Sequence, residues 1–206
     1  LYHYLRADGF AIARARPRGF ELCFVHEGKG GLPLLLVHGW PETKRIFWRN
    51  IGPLSKRAFE VIAPDLRGFG DSDLAPDGLY DVASHSHDLY ALVHDHLGHA
   101  RIVALGGDLG GPVIQDLALR FPGFVERMVL FNSPLPYLKD KMQGLQTRPP
   151  RESLDYFLRQ GTDADALAAE LNSPERRRRY IATFYTSRHW AHPGAFSAAA
   201  VDFMTE

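Results

Sequence analysis

Three things are scarce in this 206-residue chain. Cysteine occurs once, at Cys23, so no intrachain disulfide framework is available and the fold has to rest on a hydrophobic core. A lone thiol suits a reducing compartment, and a cytoplasmic location is the expectation. Long apolar runs are missing as well. The richest, Leu34 to Val37, is far short of the ~20 residues that span a bilayer, so no membrane segment is expected. An excess of charge of one sign is the third absence. Lys+Arg number 24 and Asp+Glu number 24, which speaks against a nucleic-acid partner, because phosphate neutralisation calls for a basic surplus. No repeat or low-complexity tract interrupts the chain, and it opens on Leu1 without a signal-peptide pattern.

What is present is an ordinary globular composition, 45% hydrophobic and 23% charged. Residues 10–17 and 19–25 read as two short strands around the turn Pro17-Arg18-Gly19. Short apolar runs at 33–37, 60–63 and 101–105 read as strands buried in a sheet, and 125–131 as a fourth strand. Helical patterns separate them at 43–55, 80–97 (closed by Gly98) and 110–121. This alternation predicts βαβ units, a mostly parallel sheet and helices on both faces. After Asn132 the character changes. Pro134, Pro136, Pro149 and Pro150 punctuate a helical region with predicted helices at 151–160, ended by Gly161, then at 164–171 with Thr162 as N-cap. Two more follow, at 174–187 behind Ser173-Pro174 and from 198 behind Ser197. The expected division is a core at 1–133 and a helical lid at 134–206, and in open α/β folds such an insertion covers the carboxyl ends of the strands.

Three motifs follow predicted strands. Gly106-Gly107-Asp108-Leu109-Gly110-Gly111 lies between a strand and a helix. Small neighbours permit a sharp turn with a reactive side chain at its tip, the geometry of a nucleophile elbow with Asp108 where Ser is usual. His38-Gly39-Trp40-Pro41-Glu42 follows the strand at 33–37. Asp65-Leu66-Arg67-Gly68-Phe69-Gly70-Asp71-Ser72 is a Gly-rich loop that lacks the GK[ST] signature of a phosphate loop and reads as a structural turn.

In this order and spacing the motifs resemble the α/β-hydrolase superfamily over essentially the whole chain. An Asp nucleophile narrows the resemblance to epoxide hydrolases and dehalogenases, and His38, Gly39 and Pro41 look most like the loop of epoxide hydrolases. Leu109 stands where the dehalogenases typically carry Trp or Arg, which argues against them. The resemblance implies backbone amides of Trp40 and Leu109 as the oxyanion hole, an alkyl ester on Asp108 opened by His-activated water, and Tyr156 as a lid acid, with Tyr185 and Tyr180 weaker candidates. It implies a small, apolar epoxide as substrate and neither cofactor nor metal. It also implies a supporting acid, a His base and a second tyrosine further along than residue 206, so that about the last third of such a fold would be expected there.

Bland readings stand beside these. An Asp ahead of a helix is commonly an N-cap. Tyr156 and Trp40 could simply pack. His85, His87, His94, His96 and His99 lie on or beside one helix; the first four suggest metal binding, but read more simply as a solvated face. Arg176 to Arg179 reads as a solvated helix face, and Cys23 as a small buried hydrophobe. The functional alternatives are a dehalogenase on the same scaffold and a non-catalytic binding protein of this fold.

Overall fold

The computed structural model describes residues 9–137, 155–187, 192 and 194–206. They divide into two compact units, Leu1–Lys139 and Asp140–Glu206. Pro149 and Pro150, residues 151–154 of the first predicted lid helix and His189 lie outside the described residues.

The first unit is built on a six-stranded sheet. Its strands are β1 (Ile12–Ala15), β2 (Leu22–Glu27), β3 (Leu32–Val37), β4 (Phe59–Pro64), β5 (Ile102–Gly107) and β6 (Val125–Phe131). They lie in the order β1-β2-β4-β3-β5-β6. β1 and β2 form the antiparallel hairpin expected around Gly19, and β2 joins β4 antiparallel. β4, β3, β5 and β6 run parallel. Helices α1 (Trp48–Ser55), α2 (Val82–Tyr90) and α3 (Gly110–Arg120) cover the faces. Strand alternation sends Leu35 and Val37 into the cluster with Leu89, Leu92, Val113, Ile114 and Leu117 of the α2–α3 side. Leu34 and Leu36 are buried on the opposite face, the side of Trp48 and Ile51.

The chain order within the parallel strands creates a switch point. From β3 the chain moves to one side to form β4, then returns past β3 to form β5 on the other. The loops after β3 and β5 are therefore neighbours at the carboxyl edge, the place where open α/β sheets bind ligands.

One helix departs from its sequence pattern. The 80–97 stretch begins at Val82, because the Asp81 carboxylate accepts from the Ser84 amide at 2.7 Å and caps the helix there. Its end, Ala91–His96, widens into a π turn, with the Leu97 amide donating to the Leu92 carbonyl at 3.0 Å. Gly98 then leaves with φ of 81°. The solvated reading of its histidines fails at His85, which is 1% exposed. His87 is exposed and its ring meets Phe121 edge-on, while His94 stacks on Tyr90.

The loop at 65–72 is a structural turn filled by its own charges. Asp65 is fully buried and accepts from the amides of Lys44 and Asp71 at 2.7 and 2.8 Å, and from Lys44 Nζ at 2.5 Å. Lys44 Nζ also donates to Asp71 at 2.5 Å. Burial opposes the ammonium, but the two carboxylates outweigh it and hold the Lys44 pKa above its usual value. Arg67, with no exposed side-chain surface, pairs with both Asp88 oxygens at 2.5 and 2.7 Å. It also reaches Asp77 and the Leu79 carbonyl. A planar fork meeting a carboxylate twice fixes the loop against α2 in both distance and orientation.

The second unit is helical: α4 (Asp155–Thr162), α5 (Ala164–Glu170), α6 (Pro174–Thr186) and α7 (Ala198–Thr205). Ser173 and Ser197 cap α6 and α7 as expected. Two expectations fail. Gly161 lies inside α4 and does not end it. Thr162 does not cap α5, because its hydroxyl donates back to the Leu158 carbonyl at 2.7 Å and Asp163 holds the N-cap position. Among the described residues no helix is long and apolar enough to cross a membrane.

Two stability tests follow from the buried charges. Arg67→Ala leaves buried Asp88 with Arg18 alone, at 2.7 Å, and should cost about 3 kcal/mol, read as a lower urea midpoint. Burial pushes the His85 imidazole down to about 4 from 6.5, and Arg67 and His38 add to it against Asp88. The unfolded imidazole therefore takes its proton first as pH falls. This contribution is complete above 6.5 and fades towards 4, by about 3 kcal/mol in all. Urea midpoints measured from pH 7 to 4.5 should fall less steeply in His85→Leu than in the parent.

Candidate active site

Asp108 stands at the turn between β5 and α3 with φ of 47°. The left-handed region is uncommon for a residue with Cβ, and such strain is kept only where the surroundings over-determine it. Here the Asp108 amide donates to the Asn132 carbonyl at 3.0 Å, and the Asp108 carbonyl accepts from the Gly111 amide at 3.2 Å and the Ser133 hydroxyl at 3.3 Å. The turn is also sterically exacting. A Cβ on Gly110 would overlap the Val37 carbonyl oxygen, one on Gly111 the Ser133 hydroxyl, and one on Gly106 would lie 2.8 Å from the Gly110 carbonyl oxygen.

The side chain of Asp108 does not cap α3. That helix has Leu109 at its N-cap position and no side-chain cap bond. Asp108 Oδ1 instead accepts from the Leu109 amide at 2.7 Å and, across the switch point, from the Trp40 amide at 2.9 Å. Two backbone donors thus converge on one oxygen of a partly buried carboxylate, next to the positive end of α3.

The loop that supplies the Trp40 amide is itself held on three sides. His38 is fully buried. Its Nε2 accepts from the Leu66 amide at 3.0 Å, so its proton sits on Nδ1, which donates to the Gly39 carbonyl at 2.8 Å. Burial lowers the His38 pKa, with Asp65 opposing, and keeps the ring neutral. Both ring nitrogens are engaged, so His38 is a strut between the two loops. Glu42 closes the loop from the other side, accepting from the Gly39 amide at 2.9 Å. Pro41 follows a cis peptide bond. Gly39 faces Asp108, and a Cβ there would lie 2.5 Å from Asp108 Cβ and 2.8 Å from Oδ1.

Asp108, Trp40, Leu109, His38, Gly39 and Pro41 are therefore brought to one place. Tyr156 belongs to the second unit, on α4, where its half-buried ring meets Phe184 edge-on at 5.3 Å between centroids. Tyr185 is buried against Phe196 on the side of α6, and Tyr180 lies on the same helix. Three participants escaped the sequence. Glu42 was within reach, since it ends the quoted loop motif. Asn132 and Ser133 carry no local signal, because they act on Asp108 only through the pairing of β5 with β6.

The groups able to hold a metal ion among the described residues do not include the His85, His87, His94 and His96 set. One that does qualify by position, Cys23 with Asp65 and Asp71, is already served by the ammonium of Lys44.

Comparison with known proteins agrees with this fold. The family described as alpha/beta hydrolase fold matches residues 33–194. A soluble epoxide hydrolase of Corynebacterium sp. (strain C12) is 38% identical over 119 residues, which are 58% of this chain and 40% of that protein. Epoxide hydrolase 4 of Mus musculus is 33% identical over 125 residues, 60% of this chain and 34% of that protein. Among solved structures, the epoxide hydrolase CorEH without ligand superimposes with a TM-score of 0.76 at 26% identity, covering 95% of this chain and 67% of that one. Cfl2 from Burkholderia cenocepacia gives 0.73 at 27%, covering 95% and 65%. The matched region is thus about two fifths or less of these two sequence relatives.

Gly39→Ala tests the close approach at the switch point. Its new methyl must push the Trp40 loop from Asp108, and a loss of about 1–3 kcal/mol in urea unfolding is expected.

Proposed function

This chain belongs to the α/β-hydrolase fold family, and on that premise we propose that it carries the nucleophile and oxyanion hole of an enzyme that opens small, apolar epoxides to vicinal diols. The observation that carries this reading is the pair of amides, Trp40 and Leu109, on one oxygen of Asp108. With Oδ1 so held, Oδ2 is the oxygen that attacks an epoxide carbon. The C–O bond of the ring breaks as Oδ2 forms an alkyl ester, and a proton from the Tyr156 hydroxyl goes to the leaving ring oxygen. Oδ1 is now the ester carbonyl oxygen. When water adds to Cγ, negative charge builds on Oδ1, where the two amides already point, so stabilising it needs no reorganisation. Collapse releases the diol with Oδ2 in it, and water supplies the oxygen that restores the carboxylate. The second step needs a base other than His38, whose nitrogens are both spent on backbone partners.

In this reading residues 1–133 are the catalytic core, 134–206 a lid, and Tyr156 of α4 its acid. Leu109 has no side-chain donor to hold a leaving halide, and its amide is engaged by Oδ1 of Asp108, which favours the epoxide over the dehalogenase reading.

The ester is the decisive species. Incubation with an aryl epoxide should add the mass of one epoxide to the peptide containing Asp108, and Asp108→Asn should show no adduct. In the turning-over protein, single-turnover hydrolysis in water labelled with heavy oxygen should give unlabelled diol; label in that first diol would overturn the covalent route. Tyr156→Phe should lower kcat about 10²-fold with little change in KM.

A further inference from the structure

The opposite end of the sheet holds a second cluster of polar side chains, unconnected with the elbow. β2 runs against β4, so the end of β2 lies beside the start of β4. This brings His26 of β2 to Glu60 of β4, and the turn that leads into β5 adds His99. Glu60 is 5% exposed and His26 9%. Glu60 Oε2 accepts from the Gly30 amide at 2.9 Å, which fixes the carboxylate plane and turns Oε1 towards the imidazoles. Nε2 of His26 lies 2.6 Å from Oε1 and Nε2 of His99 lies 3.0 Å from it. Both rings are mounted on anchored backbone: the His26 amide donates to Ala11 and the His99 amide to Val93. Burial disfavours the Glu60 carboxylate, but His26, Gly30 and His99 outweigh it and keep it ionised.

Two imidazole nitrogens and one carboxylate oxygen, all within 4.8 Å of one another, are the ligand set of an open zinc site. Ligand atoms of a tetrahedral ion with bonds near 2.0–2.1 Å stand about 3.3 Å apart. The separations from Oε1, 2.6 and 3.0 Å, are shorter than that, so both imidazoles have to tilt outward, His26 further than His99. His99, with 18% of its side chain exposed, has the room to do so and opens the fourth position to water.

We propose that His26, Glu60 and His99 bind one divalent transition-metal ion of the zinc class, completed by water, at the end of the sheet opposite Asp108. Each imidazole would present its Nε2 lone pair to the ion and carry its proton on Nδ1, so the two histidines exchange a hydrogen bond to Glu60 for a bond to the metal. The ion would tie β2, β4 and the turn before β5 together and take no part in chemistry at Asp108.

The test uses the full chain, freed of metal by chelation. Titration with Co²⁺ should give visible absorption bands that saturate at one equivalent and vanish when Zn²⁺ is added. Excess Zn²⁺ should raise Tm by about 4 °C or more, and Mg²⁺ should not. His99→Asn, placed at a turn, should weaken Zn²⁺ binding by about tenfold or more while leaving the metal-free Tm near that of the parent. Glu60→Gln should weaken Zn²⁺ binding likewise and serves as the second variant. Absence of the Co²⁺ bands would overturn the site and leave a hydrogen-bonded trio. Binding that persists unchanged in both variants would overturn it too, assigning the ions to other histidines.

Discussion

The first unit depends on how closely two turns pass each other at the switch point of the sheet. The loop after β3 and the elbow after β5 meet at backbone distance, because residues 39 and 110 have no Cβ. That approach lets a single carboxylate oxygen collect an amide from each loop. It also lets the start of α3 lie against the Val37 carbonyl, so that helix, strand and loop share one position. A methyl group at Gly39 or Gly110 would push apart elements that are distant in sequence and disturb the pair of donors, while one at Gly106 would strain the elbow itself.

Around this contact the chain spends buried charge on positioning. Lys44, Asp65 and Asp71 lock the loop at 65–72 to the segment after the Trp40 turn, and Arg67 ties the same loop to α2 through Asp88. Such pairs add little net stability over apolar packing of the same shape, but they are costly to break and specific in geometry. They fix where loops go at the edge of a sheet whose middle is held by Leu35, Val37, Ile62 and Ala104. The core makes the sheet, and the ion pairs decide how its carboxyl edge is arranged.

Much of this was legible in the residues. Continuous apolar runs marked β3, β4 and β5, since a strand buried on both faces has no polar side to display. Glycines around Asp108 marked the elbow, and Ser173 and Ser197 marked two helix starts by a mechanism that acts within three residues. The failures were contacts at long range or competition between local bonds. His85 looked like part of a solvated face because nothing in the helix pattern shows that the fold buries it, with the Phe69 ring beside it. Thr162 had the chemistry of a cap and used it on the preceding turn. Asn132 and Ser133 reach Asp108 through strand pairing, and His99 reaches Glu60 across 39 residues. No window of sequence contains either relationship.

His38 has a further meaning. Because one ring nitrogen receives the Leu66 amide and the other gives its proton to Gly39, the imidazole is a rigid spacer of fixed polarity between two loops. Its neutral form is the only one with a partner for each nitrogen. The tilt of the Trp40 amide is therefore geared to the backbone at residue 66, and changes in the 65–72 loop would travel to Asp108 as a rotation of a hydrogen-bond donor. Variation in that loop can re-aim the donor on Asp108 while every residue of the elbow stays the same.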